Sequence, residues 1–103
     1  MDYNVKRAAS AEADLEGIYS YITFRLNNPK AAADLANQYE KRIITLQESP
    51  RLYGLSQNPE LARRGYRYFT FGNYIAYYTI DEANHIVNIA RIFYQKQNYG
   101  ETL

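Results

Sequence analysis

Three carboxylates crowd into one short stretch, Glu12, Asp14 and Glu16. General acid–base chemistry or a metal ion would draw on such a set. No second cluster in the chain faces it. The three follow Ser10, a suitable helix N-cap, so they read as a solvated first turn whose negative charge suits the helix dipole. The single histidine, His85, sits at the mouth of a turn and reads as a surface residue rather than a zinc ligand or triad member. The absence of cysteine excludes disulfides, thiolate metal sites and a cysteine nucleophile. No cofactor and no metal are expected. The compositional outlier is tyrosine, with twelve residues and no tryptophan. Tyrosine joins a large apolar body to a polar tip, which suits wet interfaces.

The elements that must position these side chains are organised around residues 65–93. GYRYFTF is followed by Gly72-Asn73, YIAYYTI, the turn DEAN, and HIVNIARIF. These runs are rich in aromatic and β-branched residues, and Gly72 suits a hairpin turn. Both faces of the meander look apolar. Tyr66, Tyr68 and Thr70 point one way, and Arg67, Phe69 and Phe71 the other; Ile75, Tyr77 and Thr79 oppose Tyr74, Ala76 and Tyr78. An antiparallel sheet covered on one side alternates apolar and polar residues. One face therefore needs a helical layer from this chain, and the other a partner. The last strand has no clean phase, as a bulge would produce.

Upstream, residues 3–9 read as a short edge strand, with Lys6 and Arg7 discouraging unwanted pairing. Leu15, Ile18, Tyr19, Ile22 and Leu26 form one helical stripe. Gly17 weakens that helix by about 1 kcal/mol relative to alanine and leaves room for a second helix. Asn28 caps the next helix, Pro29 occupies its first position, and the helix runs to about Glu48. Residues 49–64 form a long loop, a frequent carrier of function, which delivers Arg63 and Arg64 to the sheet. The fold class is α+β in the order β-α-α-β-β-β, with a helix hairpin on one face of a small, mainly antiparallel sheet.

The chain has 103 residues, which suits a single domain over 1–103. Twelve basic and eleven acidic side chains nearly cancel, which argues against nucleic-acid binding by charge alone. No apolar run approaches the roughly 20 residues of a membrane span, and the first residues lack a signal peptide's apolar region. A soluble, cytoplasmic protein with no membrane contact is expected.

The ordered set ADLEGIYSYI, NPKAAADLANQYEKRIITLQESP, RYFTFGNYIAYYTID and IVNIARIFYQKQNY resembles the RelE/ParE superfamily of bacterial toxins over nearly the whole chain. That resemblance implies the toxin of a type II toxin–antitoxin module, neutralised by a small antitoxin encoded beside it. RelE-like members cleave mRNA on the ribosome; ParE-like members poison DNA gyrase. Under the RNase branch, the resemblance makes Arg67, Tyr94, Lys96 and Tyr99 the catalytic candidates. Tyr74 and Gln97 stand where that branch has arginines. Tyrosine near its usual pKa of about 10 is a poor base at neutral pH, and few cations are present to lower it. The expected function is therefore growth arrest by gyrase binding. The alternatives are a ribosome-dependent mRNA endonuclease and an inactive toxin-fold protein that binds an antitoxin. Arg63, Arg64, Phe69, Phe71, Tyr74 and Tyr78 are the expected partner-binding residues, covered by an antitoxin segment or by a second copy in a homodimer.

Overall fold

The computed structural model describes residues 2–95. Strand β1 (Asn4–Arg7) leads into α1 (Ala9–Ser20), which continues as a π-helical turn over Tyr21–Arg25. Helix α2 (Pro29–Glu48) and a short α3 (Pro59–Arg63) precede the meander of β2 (Arg67–Phe71), β3 (Tyr74–Asp81) and β4 (Ile86–Tyr94). The sheet order is β1-β4-β3-β2, with β1 parallel to β4 and the other pairs antiparallel. The expected α+β order is present, and β1 lies at an edge.

Local chemistry accounts for the element ends. The Asn28 side chain accepts from the Ala31 N–H at 3.1 Å, with Pro29 at the first helical position, so the start of α2 has both a cap and a preset φ. Gly72 holds φ +56°, and a Cβ there would stand 2.7 Å from Leu35 Cδ1, so the hairpin turn needs glycine for conformation and for space. The loop is more structured than its sequence suggests. Asn58 caps α3 by accepting from the Glu60 and Leu61 N–H groups.

The meander places Phe69, Phe71, Ala76, Tyr78, Val87, Ile89 and Ile92 in one core with Leu15, Leu35, Tyr39 and Leu46 of the helices. The expectation that Phe69, Phe71 and Tyr78 line an open partner surface is corrected here. All three are buried beneath the helical layer, and the Tyr78 hydroxyl donates to the Pro50 carbonyl at 2.7 Å. The opposite face is not bare either. Ile75, Tyr77 and Phe93 are buried with Leu61 of α3, and Tyr66 and Tyr68 pack against them. The long loop folds across this face and supplies from within the chain the cover expected of a partner. In β4 the register slips opposite Tyr77/Tyr78, where Ile89 and Arg91 are consecutive partners and Ala90 is the extra residue. This bulge moves the core phase from Val87 and Ile89 to Ile92, which the alternation alone does not reveal.

Candidate functional site

Among the described residues, an open groove lies between α1 and the end of β4. Strand β1 pairs with β4 only as far as Ile89, so among the described residues the end of β4 has no strand on that side. Helix α1 runs alongside instead. Its Asp14 carboxylate accepts from the Ile92 N–H at 2.9 Å and from Arg91 Nε and Nη2 at 2.8 and 3.1 Å. The Ser10 hydroxyl donates to the Ala90 carbonyl at 3.0 Å. The hydrogen bonds that Arg91 donates to Asp14 raise the Arg91 pKa.

Next to this clasp opens a groove of about 930 Å³, lined in part by Gly17, Ile18, Tyr21, Leu26, Tyr74 and Tyr94. The expectation that Gly17 admits the second helix is corrected. A Cβ at Gly17 meets nothing within 4 Å, because the residue faces the groove. The π-helical turn forms one wall. Leu26 N–H bonds to the Tyr21 carbonyl at 3.0 Å, five residues back, and Asn28 N–H to the Ile22 carbonyl. This wider winding buries Ile22 while Tyr21 and Phe24 stay 50% and 77% exposed. Tyr74 and Tyr94 meet edge to face across the other wall, 5.7 Å between centroids. Desolvation raises the Tyr74 pKa, and Tyr94 and Tyr21 add to the rise. Tyr74 therefore favours its neutral form and acts through its ring and hydroxyl dipole.

The other sequence-derived candidates are dispersed. Arg67 is half-buried at the start of β2, and its Nη1 donates to the Tyr53 carbonyl at 2.8 Å. It pairs with Tyr78, which pairs with Ile89, whereas Tyr94 pairs with Tyr74, which pairs with Phe71. The two residues thus stand four residues apart in register, about 13 Å along the strands. Lys96 and Tyr99 lie outside the described residues. Arg63 is engaged by Glu60 at 2.9 Å, and the Arg64 guanidinium lies 5.2 Å from the Tyr66 ring centroid. Only Tyr74 of the expected partner residues lines the groove. The exposed apolar set at Tyr21, Phe24 and Leu26 is missed by sequence reasoning, which assigns Leu26 to a core stripe. The interruption at Asn27-Asn28-Pro29 was the available signal, because a helix ending there cannot bury its last apolar residues in regular phase.

A family model described as ParE toxin of type II toxin–antitoxin system, parDE, matches residues 5–99. No curated protein matches the chain. Among solved structures, the chain is similar to a chain of the chromosomal ParDE system from P. aeruginosa, with a TM-score of 0.67 and 23% identity over 87% of this chain and 92% of that one. It is also similar to a chain of the RelBE2 toxin–antitoxin complex from Mycobacterium tuberculosis, with a TM-score of 0.64 and 21% identity, covering 91% and 99% of the two chains. For the archaeal RelE–RelB complex from Pyrococcus horikoshii OT3 the values are 0.57, 13%, 94% and 99%. The likeness to these structures is one of fold. The family match spans almost the whole chain, and the protein belongs to the ParE toxin family of type II toxin–antitoxin systems.

Proposed function

We propose that this toxin arrests bacterial growth by binding and inhibiting DNA gyrase, and that a cognate antitoxin neutralises it by occupying the α1–β4 groove. The observation that carries the reading is the apolar lining of that groove. Tyr21 and Leu26 are exposed at its margin beside Phe24, where a monomer in water gains nothing from them. A segment with its own apolar stripe would bury this set. Part of the free energy of contact would offset the ordering of a flexible chain. Binding rather than cleavage is favoured because Arg67 and Tyr94 do not converge and the Arg67 guanidinium is already held by a main-chain carbonyl. A phosphoryl-transfer site needs cations and proton-transfer groups within reach of one phosphate.

Controlled expression in a bacterium tests both parts. Growth arrest, induction of the DNA-damage response and loss of supercoiling by purified gyrase are expected, with rescue by co-expression of the neighbouring gene. Transcripts cut within codons, with supercoiling intact, would move the activity to the ribosome. Unimpaired growth at high expression would leave only an antitoxin-binding role.

A further inference from the structure

The loop ahead of β2 is pinned at close intervals. Leu52 N–H donates to the Ser49 carbonyl at 3.0 Å, and the Pro50 carbonyl accepts from the Tyr78 hydroxyl. The Tyr53 ring packs against the core, and its carbonyl accepts from Arg67. The Gly54 carbonyl accepts from the Tyr68 N–H at 3.3 Å, and the Ser56 N–H donates to the Tyr66 carbonyl at 2.8 Å. Leu55 bridges to Arg67. These bonds line the outer edge of β2, which ends the sheet order. Pro50 and Ser56 are buried and Tyr53 half-buried, yet Leu52 and Leu55 between them project outward, 69% and 48% exposed. A lone exposed leucine is ordinary. Two of them three positions apart, on a backbone already fixed, can enter a partner with little loss of chain freedom.

The same strip is basic. Residues 49–67 contain Arg51, Arg63, Arg64 and Arg67 against one carboxylate, Glu60. Glu60 engages Arg63 at 2.9 Å, and Glu82 of the β3–β4 turn engages Arg51 at 3.0 Å. With both carboxylates counted, two positive charges remain in excess, whereas the whole chain carries +1. Arg42, whose Nε donates to the Thr70 carbonyl of β2, and Glu48, the last residue of α2, leave that balance unchanged. The carbonyl that holds Arg67 is neutral, so it orients the guanidinium without cancelling its charge. Arg64 stands 5.2 Å from the Tyr66 ring centroid, and a ring likewise leaves the cation's charge in place.

We propose that this strip, with Leu52 and Leu55 rimmed by Arg63, Arg64 and Arg67, is the surface by which the toxin holds its target enzyme, meeting an apolar recess bordered by carboxylates on gyrase. The inference rests on the reading of the chain as a gyrase-binding toxin. Two exposed leucines favour a protein surface over DNA, whose interfaces are more polar. A second copy of this chain is a poor occupant, because a two-fold interface turns each copy's arginines toward those of its mate. The groove assigned to the antitoxin lies elsewhere, between α1 and β4, with β3 separating β4 from β2. The arginines would speed capture of an acidic surface in a salt-dependent way, and the buried leucines would slow release.

The test compares the full-length chain with two double variants, Leu52→Ser with Leu55→Ser and Arg63→Gln with Arg64→Gln. Lys30→Gln, at the far end of α2 from the loop, serves as control. Each is assayed for inhibition of supercoiling by purified gyrase, for growth arrest on induction, and for binding to the product of the neighbouring gene. The leucine pair should raise the half-inhibitory concentration about tenfold and relieve growth arrest. The arginine pair should raise it about fivefold at low salt and flatten its salt dependence. All four chains should share one circular dichroism spectrum and bind the antitoxin equally, and Lys30→Gln should otherwise match the unaltered chain. The proposal is overturned if the leucine pair inhibits and arrests like the unaltered chain, or if it loses antitoxin binding, which would give the strip to the antitoxin. Loss confined to the arginine pair, together with weaker binding to duplex DNA, would overturn it in favour of a phosphate contact. If the unaltered chain arrests growth without inhibiting gyrase, the gyrase reading falls, while relief of arrest by the leucine pair still upholds the strip as the target-binding surface. An unaltered chain that neither inhibits nor arrests overturns both.

Discussion

Asp14 and Arg91, seventy-seven residues apart in the chain, form a two-point ion pair that ties α1 to the bulged end of β4. The same carboxylate satisfies the Ile92 N–H, so one side chain replaces both a strand partner and a counter-ion. Asp14→Ala leaves a partly buried guanidinium and a strand N–H unpaired, and is expected to cost about 2 kcal/mol, within the range for hydrogen bonds to charged groups. Asp14→Asn keeps one acceptor and should lose less. The charge swap Asp14→Arg with Arg91→Asp should not restore stability, because it cannot rebuild the Ile92 contact. Urea unfolding of the four proteins checks the series.

Gly17 separates stability from recognition. Gly17→Ala should stabilise α1 by about 1 kcal/mol, the usual helix preference for alanine, since the added methyl meets open space. Gly17→Phe projects into the groove. It should preserve the fold by circular dichroism yet abolish rescue of growth when the neighbouring gene is co-expressed. Full rescue would remove the groove from antitoxin binding.

Gly72 answers to two constraints at once. Gly72→Ala should destabilise the protein by roughly 1–2 kcal/mol, from its left-handed φ and from contact with Leu35. Leu35→Ala relieves the contact but not the backbone strain. The double mutant should therefore be more stable than the sum of the single losses implies, by a fraction of the Gly72→Ala cost. Thermal unfolding of the four proteins measures the coupling.

Alkaline pH should unfold the chain through its buried tyrosines. Desolvation raises the Tyr19 pKa from 10.0 to about 12, and burial pushes Tyr39 and Tyr78 upward as well. The folded chain keeps these protons where the unfolded chain releases them. Their contribution is thus complete below about pH 10 and is lost as pH rises through the folded-state values. The urea midpoint should fall steadily from pH 10 upward, in step with the appearance of tyrosinate absorbance. Tyr78→Phe lacks the Pro50 hydrogen bond at every pH but should show a shallower decline.

Sequence alone determined the elements whose causes are local. Asn28 and Pro29 start α2 because a cap and a preset φ act within a few residues. The Gly72 turn and the aromatic runs beside it define the β2–β3 hairpin for the same reason. The edge position of β1 was legible in its length and its lysine and arginine. Tertiary structure decided what each face meets. A period of two divides Phe69 and Phe71 from Tyr66 and Tyr68 but does not say which pair meets the helices. The loop through Leu61 then covers the opposite face, through contacts that span many residues. The Ala90 bulge and the Asp14–Arg91 clasp arise only when α1 lies beside β4. The groove likewise exists only as a gap between assembled elements, because an uncovered ring is a property of neighbours and not of sequence spacing.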